Sequence, residues 1–322
     1  MTRPLDAAIA AFEPRLPLAI AYSGGADSTA LLHACAARWP GQVLAVHVNH
    51  GLQPAAVDFE QHCQSACAAL GVPLQVLQVD AHARAGQSPE DAARLARYGA
   101  LRRFALPENG QPPCATVALA QHADDQVETL LLALSRGAGL AGLSAMPSRW
   151  LRDGVEYARP LLEVSASDIR SWLQARALPW IEDPSNAHLG FLRNRLRAEL
   201  LPVLRAIIPH YADTLPRSAA HAAQGQALLS ELAQADLQCL CGPQGNRPSI
   251  VQLKELSTAR QANVLRHWLF SVHHTQASSA QLQELLAQIA ACTTRGHQLH
   301  IRVGHGFVRR SNTTLDWYNP AV

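Results

Sequence analysis

The chain has 322 residues, of which 48% are hydrophobic and 16% charged, with a formal net charge of +2. That length suits about two domains, the composition buries a core and excludes wholesale disorder, and no run reaches the roughly 18–20 apolar residues that cross a bilayer. Asp6, Glu13 and Pro14 interrupt the stretch where an export signal needs a continuous apolar core, and seven cysteines without a disulfide rhythm read as reduced thiols. A cytoplasmic protein with no membrane association is expected.

From the N-terminus, short apolar runs alternate with amphipathic ones. Residues 18–22, 43–48, 74–79 and 115–120 read as strands, and 28–38, 55–70, 89–104 and 124–136 as helices. This rhythm predicts an α/β fold, with an N-terminal parallel sheet, helices on both faces and ligands at the carboxyl ends of the strands. Residues 137–148 read as a glycine-rich loop. A short helix is expected over 167–176, capped by Ser165 or Ser167, and another over 191–205. Pro202, Pro209 and Pro216 punctuate the approach to a boundary and set a first domain at 1–215. A smaller, mainly helical domain at 216–322 then has a linking helix over 219–240, a turn-rich break at 241–248, helices at 257–270 and 280–289, and strands near 299–303 and 306–310. Net charge is −2 over 1–215 and +4 over 216–322. Lys254 is the only lysine among 27 basic residues, so ionic work falls to arginine, whose planar fork pairs with phosphate.

Ser23-Gly24-Gly25-Ala26-Asp27-Ser28 follows the first strand and opens the first helix. Adjacent glycines let the backbone approach a ligand, the N–H groups of the helix start form an anion site, and the Ser23 and Ser28 hydroxyls add donors. Asp27 repels a phosphate unless a divalent cation lies between them. A plain βα turn capped by Asp27 is the competing reading, and the Walker Gly-Lys-Ser/Thr is absent. Asp124, Asp125 and Glu128 fall within a turn and a half of one helix start, where a cation would offset their repulsion: Mg²⁺, or the ammonium of a free amino acid. A capped, solvated helix start is the alternative.

Four ordered segments carry a family resemblance over roughly residues 18–205. They are the SGGADS loop; His47-Val48-Asn49-His50-Gly51-Leu52; His122-Ala123-Asp124-Asp125-Gln126-Val127-Glu128-Thr129, leading to Arg136-Gly137; and Trp180-Ile181-Glu182-Asp183-Pro184-Ser185-Asn186 followed by Arg193-Asn194-Arg195-Leu196-Arg197. Together they resemble the tRNA(Ile)-lysidine synthase family of PP-loop ATP pyrophosphatases. The resemblance implies an ATP-dependent ligase that joins free L-lysine to C2 of the wobble cytidine of CAU-anticodon tRNA(Ile) through an adenylated base, changing codon reading from AUG to AUA. It implies ATP and Mg²⁺ as cofactors, and it allows a homodimer. It carries ATP binding onto Ser23, Gly24, Gly25, Ala26, Asp27, Ser28 and His50, and Mg²⁺ onto Asp27 and Asp124. Catalysis falls to Asp27, Asp124, Asp125, Glu128 and Arg193, and substrate or pyrophosphate binding to Arg97, His122, Arg136, Asn194 and Arg197. Gln53 departs from the family, many members of which carry a basic residue there.

Residue chemistry accompanies each assignment. His50 and His122 can contact ATP or tune a proton transfer near neutral pH. Arg94 and Arg97 lie on one side of a helix opened by Ser88-Pro89-Glu90-Asp91, beside Tyr98, as a solvated basic face or as guanidinium groups for phosphate. Arg193, Arg195, Arg197 and Arg205 crowd one helix with only Glu199 opposed; such a run is better explained by bound anions, with Arg193 and Arg197 on a shared face. Arg302, Arg309 and Arg310 are either phosphate contacts or a solvated sheet edge. No C-x-x-C pair exists, which opposes a sulfur-transferring PP-loop enzyme such as a tRNA 2-thiolation enzyme. The acid cluster opposes the other alternative, a non-catalytic nucleotide sensor.

Overall fold

Burial along the first strand sets the layers of the first unit. In β1 (Leu18–Ala21), Leu18 and Ile20 pack to one side with Leu31, Leu32, Leu161 and Ile169, while Ala19 packs to the other with Tyr98, Leu101, Val117 and Tyr157. A strand with no polar face must be covered twice, which is why helices flank it. The computed structural model describes residues 3–51, 56–80, 82, 88–107, 110, 112–183, 189–241, 245–293 and 297–320. Leu52, Gln53 and the 184–186 end of the fourth motif lie outside them.

β1 is joined by β2 (Val43–Asn49), β3 (Leu74–Gln78), β4 (Thr116–Ala118), β5 (Arg149–Arg152) and β6 (Val155–Ala158) in the order β3-β2-β1-β4-β6-β5. All neighbours pair in parallel except β5, which runs antiparallel to β6. Asp153 and Gly154 both adopt positive φ (50° and 85°) and reverse the chain in two residues, a geometry that only an antiparallel pair accepts. The sheet is therefore parallel with one antiparallel edge strand. The chain leaves β1 toward β2 and β3 and returns to β4 on the other side, so the crevice at the carboxyl ends of β1 and β4 is the topological switch point.

The helices are α1 (Leu5–Ala10), α2 (Ala26–Arg38), α3 (Ala56–Leu70), α4 (Pro89–Ala105), α5 (Ala123–Ser135), α6 (Leu140–Leu143), α7 (Ala166–Gln174), α8 (Leu192–Arg195) and α9 (Leu201–Ile207), with a π-helical turn at Leu196–Leu200 between the last two. Two differ from the sequence reading. α1 was not anticipated, yet its Leu5 and Ile9 complete the core beneath α2. α6 interrupts the stretch read as a loop. Pro202, inside the stretch expected to be helical over 191–205, sits in the first turn of α9, where a missing N–H costs least. Ser165 is the cap of α7, accepting from the Asp168 N–H at 3.0 Å.

α10 (Tyr211–Cys241) is longer than expected and runs through Pro216. Contacts divide the chain into 1–222 and 223–322, inside this helix. The second unit contains α11 (Ile250–Glu255), α12 (Thr258–His273) and α13 (Ser279–Ala291) and an antiparallel sheet of β7 (His300–Val303), β8 (Gly306–Ser311) and β9 (Thr314–Tyr318). Leu253, Trp268, Leu269, Leu285, Ile289, Val303, Val308 and Leu315 form its core. Ser257 and Ser278 cap α12 and α13.

Candidate active site

The loop between β1 and α2 is held open by its own serines. Ser28 Oγ accepts from the Ser23 N–H (3.2 Å), lies 3.1 Å from Ser23 Oγ and donates to the Gly25 carbonyl at 3.1 Å. Gly24 has φ +85°, and a Cβ there would stand 3.2 Å from Cys63 Sγ, so only glycine satisfies both backbone and space. Gly25, not Asp27, is the N-cap of α2, and no side chain caps the helix. Among the described residues the first N–H groups of α2 thus stand without an intrahelical or side-chain acceptor, as an anion site requires. The Ile181 N–H donates to the Gly24 carbonyl at 3.0 Å, which brings the fourth sequence motif against the first.

His122, the N-cap of α5, is the hub of the acids. Its Nε2 lies 3.6 Å from Asp27 and 3.5 Å from Asp125, and its Nδ1 3.7 Å from Asp124. Loops after β1 and β4 therefore meet at this imidazole. Asp125 accepts from the His122 backbone N–H (3.1 Å), and Asp124 from the Ala166 N–H at the start of α7 (2.8 Å). Burial raises the Asp27 carboxyl; His122 opposes that rise and Asp125 adds to it.

The arginine run is opposed after all, by acids from other elements. Arg197 forks onto Glu128, which is fully buried, at 2.7 and 3.0 Å, and reaches Asp125 at 3.2 Å. Arg193 pairs with Glu90 of α4 (3.2 Å) and faces Thr129 (3.5 Å), and Arg205 lies 3.9 Å from Asp124. Arg195 turns away toward Glu199. Burial raises the Glu128 carboxyl and the Arg197 fork works against that rise. Part of the cation inferred for the acid cluster is thus supplied by the chain itself. Both Glu128 oxygens are engaged, whereas among the described residues Asp27 has no partner closer than His122.

Arg97 and His50 form a second pair of interest. Burial pushes His50 down to about 4, and the Arg97 charge adds to that; its buried Nδ1 has no hydrogen-bond partner. Arg97 is itself drawn down by burial, and no carboxylate pairs with it among the described residues. A half-buried guanidinium beside a neutral imidazole calls for an anion from outside. Asn49 shapes the adjoining turn: its Oδ1 accepts from the Gly51 N–H at 2.9 Å, and its Nδ2 donates to Glu60 at 3.0 Å.

The structure thus gathers Ser23 to Ser28, His122, Asp124, Asp125, Glu128, Arg193 and Arg197 around one crevice, with Asn194 beside Arg193 on α8. It does not bring Arg136 there. That residue caps the opposite end of α5, about 20 Å along the helix axis. Glu90, Thr129 and Arg205 belong with the site but were missed as contributors: the first reads as a helix-start acid, the second as a helix-interior polar residue, and the third as one of a basic run. Cys63, Cys67 and Cys114 are buried, and burial pushes their thiols up to about 12, 11 and 11, which removes them as nucleophiles at neutral pH. No group of three or more His, Cys, Asp or Glu side chains able to hold a metal is assembled among the described residues.

Residues 2–204 match a PP-loop domain family, and residues 249–315 match the TilS substrate binding domain family. A tRNA(Ile)-lysidine synthase of Polaromonas naphthalenivorans is 52% identical over 99% of this chain and 95% of its own length. The corresponding enzyme of Burkholderia pseudomallei is 42% identical over 97% of this chain; the match spans 64% of that longer protein. Among solved structures, the U34-tRNA thiolase NcsA of Methanococcus maripaludis aligns with a TM-score of 0.56 at 14% identity, covering 67% of this chain and 77% of that one, a likeness of fold alone.

Proposed function

The chain belongs to the tRNA(Ile)-lysidine synthase family, and we propose that it ligates free lysine to the wobble cytidine of CAU-anticodon tRNA(Ile) in the crevice between β1 and β4. It is a PP-loop enzyme of tRNA modification that uses ATP. The observation that carries the site assignment is the convergence of an uncapped helix start and a cluster of carboxylates on the same switch-point crevice.

In this reading the N–H groups at the start of α2, with Ser23 and Ser28, hold the phosphates of ATP. His50, neutral at pH 7, lines the nucleotide side, and Arg97 takes an anionic group of ATP or tRNA. The C2 carbonyl oxygen of the cytidine attacks the α-phosphorus, the bond to the β-phosphate breaks, and pyrophosphate leaves with the bonding pair. Arg193, steadied by Glu90, stabilises the departing charge with Asn194 beside it. The lysine ε-amine then attacks C2, AMP leaves, and a proton passes from nitrogen to a carboxylate. Asp124 and Asp125 are the acids placed to orient and deprotonate that amine. Glu128 acts through Arg197, which it holds against Asp125.

The donor set suits Mg²⁺ bound through one or two carboxylates and completed by phosphate oxygens and water, since no all-protein cage is present among the described residues. Asp27, with Asp124 beyond His122, would hold the ion, which supplies charge neutralisation between the carboxylates and the triphosphate. A cytoplasmic location accords with the absence, among the described residues, of any helix long and apolar enough to cross a membrane. We propose a homodimer as the assembly state, which the mass in solution tests.

The test is pyrophosphate release from ATP with Mg²⁺, with and without a CAU-anticodon tRNA(Ile) transcript. Release that requires the transcript supports the reading. Release without any dependence on tRNA, or none under any condition, contradicts it.

A further inference from the structure

A buried cation stands behind the acids of the crevice. Arg159 follows β6, the strand beside β4, and is only 8% exposed. It makes no ion pair among the described residues. Its Nε donates to Gln121 Oε1 at 2.9 Å, its Nη1 to the Pro147 carbonyl at 2.9 Å and its Nη2 to the Tyr98 hydroxyl at 3.2 Å, while the guanidinium lies 3.9 Å from the Trp150 ring centroid. Burying a charge without a counter-charge costs stability, and an apolar side chain against Trp150 would fill the space without that cost. What only the planar fork supplies is a rigid tie among three separate segments.

Two of those segments flank the acids. Gln121 immediately precedes His122, the hub of the cluster. The Met146–Pro147 turn is gripped in turn by Gln126, which immediately follows Asp125 and is itself buried. Gln126 Nε2 donates to the Met146 carbonyl, and its Oε1 accepts from the Met146 N–H, both at 2.9 Å. The Arg159 backbone N–H adds a bond to the Ser148 carbonyl at 2.8 Å. Gln121, Gln126 and Arg159 thus clamp this turn across the start of α5, on both sides of His122, Asp124 and Asp125. Ala145, at the entry to the turn, stands at φ +50°, a left-handed conformation that a residue with a Cβ adopts where its surroundings impose it. Burial draws the Arg159 guanidinium down; Tyr98 opposes that, and so does the Asp125 carboxylate, so the buried charge is felt at the acids.

We propose that Arg159 is a positioning residue for lysine transfer: through Gln121, and through the turn that Gln126 grips, it holds His122, Asp124 and Asp125 in the geometry that meets the amine. The proposal rests on the lysine-ligating reading of the crevice given above. Arg159 acts through the acids and not on ATP or tRNA, so its loss belongs in the turnover rate and not in the affinity for either.

Steady-state lysine incorporation into a CAU-anticodon tRNA(Ile) transcript by the full chain, with ATP and Mg²⁺, tests it. Arg159→Lys keeps the charge but cannot reach three acceptors at once; kcat should fall on the order of tenfold to a hundredfold, the scale of a small misplacement of reacting groups. KM for ATP and for tRNA should stay within about twofold of wild type. Gln121→Met and Gln126→Leu cut the clamp at its other members without touching the charge, and each should lower kcat in the same way. Combining either with Arg159→Lys should cost less than the product of the single losses, because all act through one turn. Any of the three single variants that binds ATP like wild type and turns over within about twofold of it overturns the proposal. So does a loss that appears in KM for ATP or tRNA, and so do losses that multiply in full. A wild-type chain that incorporates no lysine overturns the lysine-ligating reading beneath the proposal.

Discussion

His50 carries a measurable signature of its surroundings. Burial and the neighbouring Arg97 charge hold it at about 4, against 6.5 for a free imidazole. Between those values the unfolded chain binds a proton that the folded chain does not, so stability must fall as pH drops from about 6.5 toward 4. The full shift corresponds to at most about 3 kcal/mol. His50→Gln should flatten this part of the acid limb relative to wild type, as read by urea unfolding at pH 7, 5.5 and 4.5; parallel curves would contradict the assignment. Asp27 gives a second test. Burial raises its carboxyl and Asp125 adds to that rise. If ionised Asp27 is required, the acid limb of tRNA-dependent pyrophosphate release is shifted upward from where a free carboxylate would put it. Asp125→Asn should then move that limb to lower pH, whatever it does to the maximum rate.

Arg197 ties the π-helical turn to α5, and that link can be weighed. Removing one partner of a fully buried pair costs about 3–5 kcal/mol, but Arg197 is 45% exposed, so about 2 kcal/mol is expected for Arg197→Met. Adding Glu128→Gln should recover part of the loss, a coupling that a double-mutant cycle in urea reads directly. The loop before α2 is more brittle. Gly24→Ala places a Cβ at φ +85° against Cys63, which should cost about 1–2 kcal/mol and weaken ATP binding. At this scale the βα rhythm was legible, since each apolar run with its amphipathic partner became a strand and a helix. The sequence reading assigned no element between 149 and 166, although Asp153-Gly154 is a two-residue turn signal for the β5–β6 hairpin. The ion pairs were not legible. Spacing shows that Arg193 and Arg197 share a face, but not that Glu90 of α4 and Glu128 of α5 lie opposite it.

Across the whole molecule, the strand order explains why segments scattered over 18–205 act together. Because the chain reverses direction at β1, the loops after β1 and β4 share one crevice, and α7 and α8 close on it through Ala166 and Arg193. The motif order announced this crevice, and the helix expected over 124–136 already implied that Arg136 stands at the far end of α5 from the acids. The second unit was legible as mainly helical, but β9 emerged only from the strand register. Lysine transfer to one cytidine is the reaction proposed for this crevice. The most direct measurement incubates the full chain with ATP, Mg²⁺, isotope-labelled lysine and a CAU-anticodon tRNA(Ile) transcript, then digests the RNA and analyses its nucleosides by mass spectrometry. One new labelled nucleoside should appear at the expense of the wobble cytidine, and Asp124→Asn should abolish it. Pyrophosphate release with no lysine in the RNA, or unimpaired incorporation by the Asp124→Asn protein, would contradict it.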